Sequence, residues 1–143
     1  MPFPQPEPGL VVSYSYLWRY EHNKDKNEGR KVRPCVIILA VEHKGNEQIV
    51  TVVPITHTSP GNPAYAIEIP LKVKRHLNLD DERSWIILDE VNQFTWPGYD
   101  LRPIPGSKTS YDFGFLPPRL FEKIKTGILD LFIKRRVKMI NRD

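Results

Sequence analysis

Apolar and polar positions alternate along residues 9–18: Val12, Tyr14, Tyr16 and Trp18 share one face, and Val11, Ser13, Ser15 and Leu17 the other. A period of two is the mark of a half-buried strand, so the pattern predicts one there. Val36-Ile37-Ile38-Leu39 is an unbroken apolar run within residues 33–41 and predicts a second, more deeply buried strand. Lys44-Gly45-Asn46 is a turn signal and residues 48–56 supply a third strand, so strands two and three should form a hairpin. Pro54 inside the third strand marks an edge, a bulge or the strand's end. Residues 64–69 alternate again as a fourth strand. Residues 84–91, SWIILDEV, read as a fifth, apolar in the middle and acidic at its exit.

The remaining pattern is sparser. Residues 21–31 are polar and charged and read as a loop, as do residues 56–63. Residues 70–79 support at most a short helical turn. WPGYDLRPIPG, residues 96–106, reads as an ordered loop with room for one short strand. Leu116-Pro117-Pro118 opens a helix over 118–133, with Leu120, Phe121, Ile124, Ile128, Leu131 and Phe132 at helical spacing. Five or six short strands with short connections, followed by one amphipathic helix, predict an α+β chain that is mainly β. The expected shape is a small, partly open antiparallel barrel with the helix packed at its C-terminal end. Residues 1–8, rich in proline, read as a loosely held extended lead-in.

Composition narrows the class. A chain of 143 residues is one domain, 1–143, with enough length for a core of its own. The single cysteine, Cys35, rules out an intrachain disulfide and a cysteine-rich zinc site, and suits a cytoplasmic setting. No apolar run approaches the ~20 residues that span a bilayer, and the N-terminus lacks the pattern of a secretion signal, so no membrane partner is expected. The net charge is +4, and the excess gathers after Arg119. Such a segment attracts nucleic acid or simply solvates a helix face.

The polar residues at the strand ends carry the chemistry. Arg33-Pro34 opens strand two and Thr56-His57 ends strand three. Antiparallel pairing sets the start of one beside the end of the other, so the two polar ends should meet in one groove.

Arg33-Pro34, Pro54-Ile55-Thr56 and SWIILDEVN, in that order and spacing, resemble the PemK/MazF family of type II toxin–antitoxin ribonucleases. The resemblance runs over residues 9–92, the C-terminal helix fits that family's plan, and WPGYDLRP with FGFLPPRL looks like a branch of it. It implies an SH3-like barrel, a homodimer, a short antitoxin partner, and metal-independent cleavage of single-stranded RNA without a cofactor. In that chemistry the ribose 2′-OH attacks the adjacent phosphate, leaving a 2′,3′-cyclic phosphate and a 5′-OH.

The resemblance carries over to Arg33, whose guanidinium fork matches phosphate oxygens, and to Thr56, whose hydroxyl can donate to them. It marks Asp89 and Glu90 as acidic groups that orient Arg33 or take a proton. It also marks a departure: better-known members carry an arginine near Asn92, and Arg102 is the candidate to replace it. His57 beside Thr56 is a candidate base or acid, although regular strand geometry would turn it away from Thr56. His22, in the first loop, is a candidate contact to substrate, and Trp96 in WPG is the best placed aromatic for stacking a base. His43 and His76 read as surface residues, and four histidines this scattered give no metal-ligand spacing. The alternative is a non-catalytic module that grips nucleic acid or protein on the same barrel.

Overall fold

The structure, a computed structural model, describes residues 3–22, 31–42, 45 and 47–143, with the side chains of 21 and 22 outside the description. In chain order the elements are β1 (Leu10–Ser15), α1 (Arg19–His22), β2 (Val32–Glu42), β3 (Gln48–Thr56), a 3-10 turn (Pro63–Tyr65), β4 (Ala66–Glu68), α2 (Leu71–His76), β5 (Trp85–Ile87), β6 (Glu90–Trp96), β7 (Asp112–Phe115), α3 (Pro118–Ile133) and β8 (Lys138–Asn141). The eight strands form one sheet in the order β4-β5-β3-β2-β1-β7, with β6 paired to both β3 and β8. The sheet curls into a half-barrel, and α3 packs against it, as the mainly β expectation requires.

The curl explains the unbroken apolar runs. Val11, Val36 and Val53 lie across from one another and join one buried cluster, together with Leu120, Ile124 and Leu131 of α3. Val12, Cys35, Ile37 and Val52, one residue out of step, point into a second cluster with Tyr14, Tyr16 and Phe94. A strand covered on both faces needs no polar alternation.

Four expectations need correction. Residues 84–91 are not one strand: β5 ends at Ile87 and β6 starts at Glu90, with a bend over Leu88 and Asp89. The cause is β3, which pairs Ile55 and Thr56 with β5 but Gln48 to Val52 with β6, so the chain must turn to serve both. Strands β7 and β8 have no sequence signal of their own, and β8 lies parallel to β6 in an otherwise antiparallel sheet. The described part of the lead-in, residues 3–8, is tied down rather than loose at Phe3, which meets Tyr111 with ring centroids 4.6 Å apart. Phe132, expected on the buried face of α3, is 68% exposed.

β8 ends in a bolt. The buried side chain of Arg142 pairs with Asp100 at 2.7 Å and donates to the Ser15 carbonyl at 2.8 Å, Asn92 Oδ1 at 3.1 Å and the Tyr14 hydroxyl at 3.3 Å. Among the described residues, no helix is long and apolar enough to cross a membrane.

Candidate functional site

The β2–β3 hairpin pairs Cys35 with Pro54. Arg33 and Thr56 lie two residues beyond that last pair, at the same end of the hairpin, and both line the grooves that open there. Two grooves open at this point. The larger, about 770 Å³, includes Arg33, Thr56, His57, Lys74, Asp80 and Arg102 in its walls. The smaller, about 450 Å³, includes Trp18, Tyr20, Tyr65, Asp89 and Glu90. Lys31, Arg33, Thr56 and His57 line both and form the ridge between them.

Each ridge residue has a distinct state. The Arg33 guanidinium lies over the Trp18 ring, 5.1 Å from its centroid, a cation–π distance. Its Nε is buried and has no hydrogen-bond partner among the described residues. A desolvated donor of that kind is costly until an acceptor arrives. Thr56 is buried, and its Oγ accepts from the Thr58 backbone N–H at 3.2 Å, which leaves the hydroxyl proton to be donated elsewhere. His57 follows on the same groove wall rather than turning away, because strand pairing ends at Thr56.

His57 Nε2 sits 2.8 Å from Asp80 Oδ2, and Nδ1 sits 4.0 Å from Glu82 Oε2. The other Asp80 oxygen accepts from Lys74 Nζ at 2.7 Å. Burial pushes the Asp80 carboxyl up, but the hydrogen bond and charge of Lys74, aided by His57, hold it below the usual range. Ligand atoms of His57, Asp80 and Glu82 all lie within 4.8 Å of one another, the one described group with metal-ligand proximity. The Lys74 ammonium already stands where a cation would bind Asp80.

The other expected site residues divide. Arg102 does reach the larger groove, with its guanidinium held by the carbonyls of Tyr99 and, at 3.1 Å, Leu101. Asn92 does not belong to the site at all. It is fully buried, accepts the Leu17 N–H at 2.9 Å and donates to the Leu17 carbonyl at 2.9 Å, clamping the end of β1 to β6. Trp96 lies outside both grooves, packed against the second core cluster 6.1 Å from Phe94. The aromatic side chains that do line a groove are Trp18, Tyr20 and Tyr65. The side chain of His22, and His43 entirely, lie outside the described residues.

Asp89 and Glu90 line the smaller groove, but among the described residues neither pairs with Arg33. Glu90 is buried and accepts the Arg19 backbone N–H at 2.5 Å. Burial lifts its carboxyl from 4.5 to about 6. The folded state therefore holds a proton that the unfolded chain has lost between those values, and stability falls as pH rises through that window. Ionised Glu90 then destabilises the fold by roughly 2 kcal/mol above pH ~6. Glu90→Gln keeps an acceptor for Arg19 and should raise stability by up to about 2 kcal/mol at pH ~7.5, with little change at pH ~4. Urea unfolding of both proteins at the two pH values checks this; equal differences at both would rule it out.

Sequence reasoning missed Lys74, Asp80 and Ser84. The signal available was faint: Lys74 stands three residues before Leu77, on the face of α2 that turns inward.

Comparison with protein-family models matches residues 16–132 to the PemK-like, MazF-like toxin of type II toxin–antitoxin systems. A search of curated proteins finds no match.

Proposed function

The chain belongs to the PemK-like, MazF-like toxin family of type II toxin–antitoxin systems, and from that premise we propose that it is an endoribonuclease that cuts single-stranded RNA. The observation that carries this reading is the ridge itself, where a half-desolvated guanidinium, a free hydroxyl proton and an imidazole converge between two grooves. RNA laid across the ridge puts its scissile phosphate on Arg33, with nucleotides running into the groove on either side.

The 2′-OH proton passes to a base, O2′ bonds to phosphorus, the P–O5′ bond breaks, and O5′ takes a proton. The products are a 2′,3′-cyclic phosphate and a 5′-OH. Arg33 neutralises the charge that builds on the non-bridging oxygens, Thr56 donates to one of them, and His57 handles a proton. With a fixed guanidinium in that role the reaction runs without a metal. Unpaired bases stack on Trp18 and its neighbours, while Arg102 holds a flanking phosphate. Type II membership implies an antitoxin protein. A homodimer in the cytoplasm completes the proposal, and sedimentation at low micromolar concentration reads the dimer.

The test is incubation of purified, partner-free protein with mixed-sequence single-stranded RNA in EDTA. Fragments ending in cyclic phosphate are expected. A folded protein that leaves the RNA intact overturns the enzyme in favour of a binding module on the same barrel.

A further inference from the structure

We infer that Asp80 and Lys74 form a positioning relay that fixes the His57 ring, so that Nδ1 is the nitrogen that exchanges a proton with RNA. The inference rests on the ribonuclease reading of the ridge and deepens it, because that reading alone does not say which nitrogen works.

An imidazole that is 39% exposed should turn freely and populate both tautomers. Here Nε2 lies 2.8 Å from Asp80 Oδ2. A carboxylate only accepts, so Nε2 must carry a proton, and in the neutral ring Nδ1 is left as the sole acceptor. Asp80, itself half exposed, would be a loose anchor on its own. Its Oδ1 is held by Lys74 Nζ at 2.7 Å and by the Glu82 backbone N–H at 3.1 Å.

Lys74 is the end of the chain of contacts. Its side chain is 2% exposed on α2, and it donates to Asp80, to Ser84 Oγ at 2.6 Å and to the Glu82 carbonyl. With those three donors engaged, the ammonium has none left for a phosphate, although it lines the groove. Burying an ammonium is unfavourable, and an apolar side chain would fill the same space at less cost. What lysine adds is a fixed position for Asp80.

The charges facing His57 come from three elements. Asp80 and Glu82 lie on the loop after α2. Lys31 and Arg33, at the start of β2, and Lys74 on α2 share the groove wall with the ring. Removing the Asp80 anchor therefore frees the ring's orientation.

Two arms test the relay. Long-range ¹H–¹⁵N NMR of the His57 imidazole in the wild-type protein, at a pH where it is neutral, should show the Nε2-protonated tautomer. This arm needs neither a variant nor any cleavage, so it decides the relay even where the ribonuclease reading fails. An Nδ1-protonated ring, or an even mixture, overturns it. In the kinetic arm Asp80→Asn should lower kcat about 10–100-fold with KM within about twofold. In a His57→Ala background the same substitution should change kcat less than about twofold. Equal losses in both backgrounds would mean that Asp80 acts only through the fold, and would overturn the inference.

Discussion

Arg33→Ala is expected to lower kcat/KM on single-stranded RNA by about 10²–10³-fold, the loss typical when one fixed donor to a developing oxyanion is removed. The side chain starts β2 just before Pro34, which fixes the backbone there and donates no ladder hydrogen bond. The guanidinium is therefore set by packing against Trp18, 5.1 Å away, rather than by an ion pair with any described residue. Pre-setting of that kind makes the donor worth more in the transition state than in water, because little reorganisation remains. Stability should barely change. Alanine forfeits a cation–π contact of about 0.5–2 kcal/mol, and it also removes a buried donor without a partner. Arg33→Lys, which keeps the charge but loses the fork, should fall between wild type and alanine. Cleavage rates beside melting curves for all three proteins read the result. An alanine variant that melts normally and cuts at the wild-type rate would remove Arg33 from the mechanism.

The hairpin that positions the candidate groove was legible because strand pairing is a local matter. The apolar run at Val36 to Leu39 and the turn at Lys44-Gly45-Asn46 specify a hairpin, and a hairpin brings Arg33 and Thr56 to the same end of the sheet, just past the Cys35–Pro54 pair. What stayed hidden depends on contacts between distant elements. Lys74 reads as surface because lysine almost always is. Its burial follows from a loop that returns Asp80, Glu82 and Ser84 six to ten residues later. Trp18 and Trp96 are alike in sequence, each an aromatic at the edge of a strand pattern, and only the curl of the sheet sends one to the groove and the other to the core. The bend at Leu88 and Asp89 was invisible because both halves of SWIILDEV are good strand; the break comes from β3 exchanging partners. β8 has little apolar content, with Ile140 its one buried residue, so its place is decided by backbone pairing to β6. Asn92 looked like a site position with its arginine missing. The structure gives it a different task, joining Leu17 to Arg142 in the core.

That task leads to the largest expected effect on stability, from Arg142→Ala. Its side chain is 3% exposed and that of its partner Asp100 is 16% exposed, so the pair is largely out of water. It also supports the Ser15 carbonyl, Asn92 and Tyr14, three groups on β1 and β6 that have little water to turn to. Deleting one partner of a buried pair leaves the other charge uncompensated, at a cost of about 3–5 kcal/mol. Against a total stability of about 5–15 kcal/mol for a domain this size, that is a large fraction. At about 2–4 °C per kcal/mol, melting should fall by roughly 6–20 °C. The cost lies mainly in the stranded carboxylate, so Arg142→Met combined with Asp100→Asn should recover part of it. Thermal and urea unfolding of wild type, the single and the double variant separate these terms. A single variant within about 1 kcal/mol of wild type would show that the bolt is weak, and a double variant no more stable than the single would assign the loss to shape rather than charge. Arg142 lines neither groove, so at temperatures where the single variant is folded its RNA cleavage should match wild type. The same chain thus separates its two arginine roles: Arg33 is held with an unanswered donor in the groove, and Arg142 answers the acceptors that close the barrel.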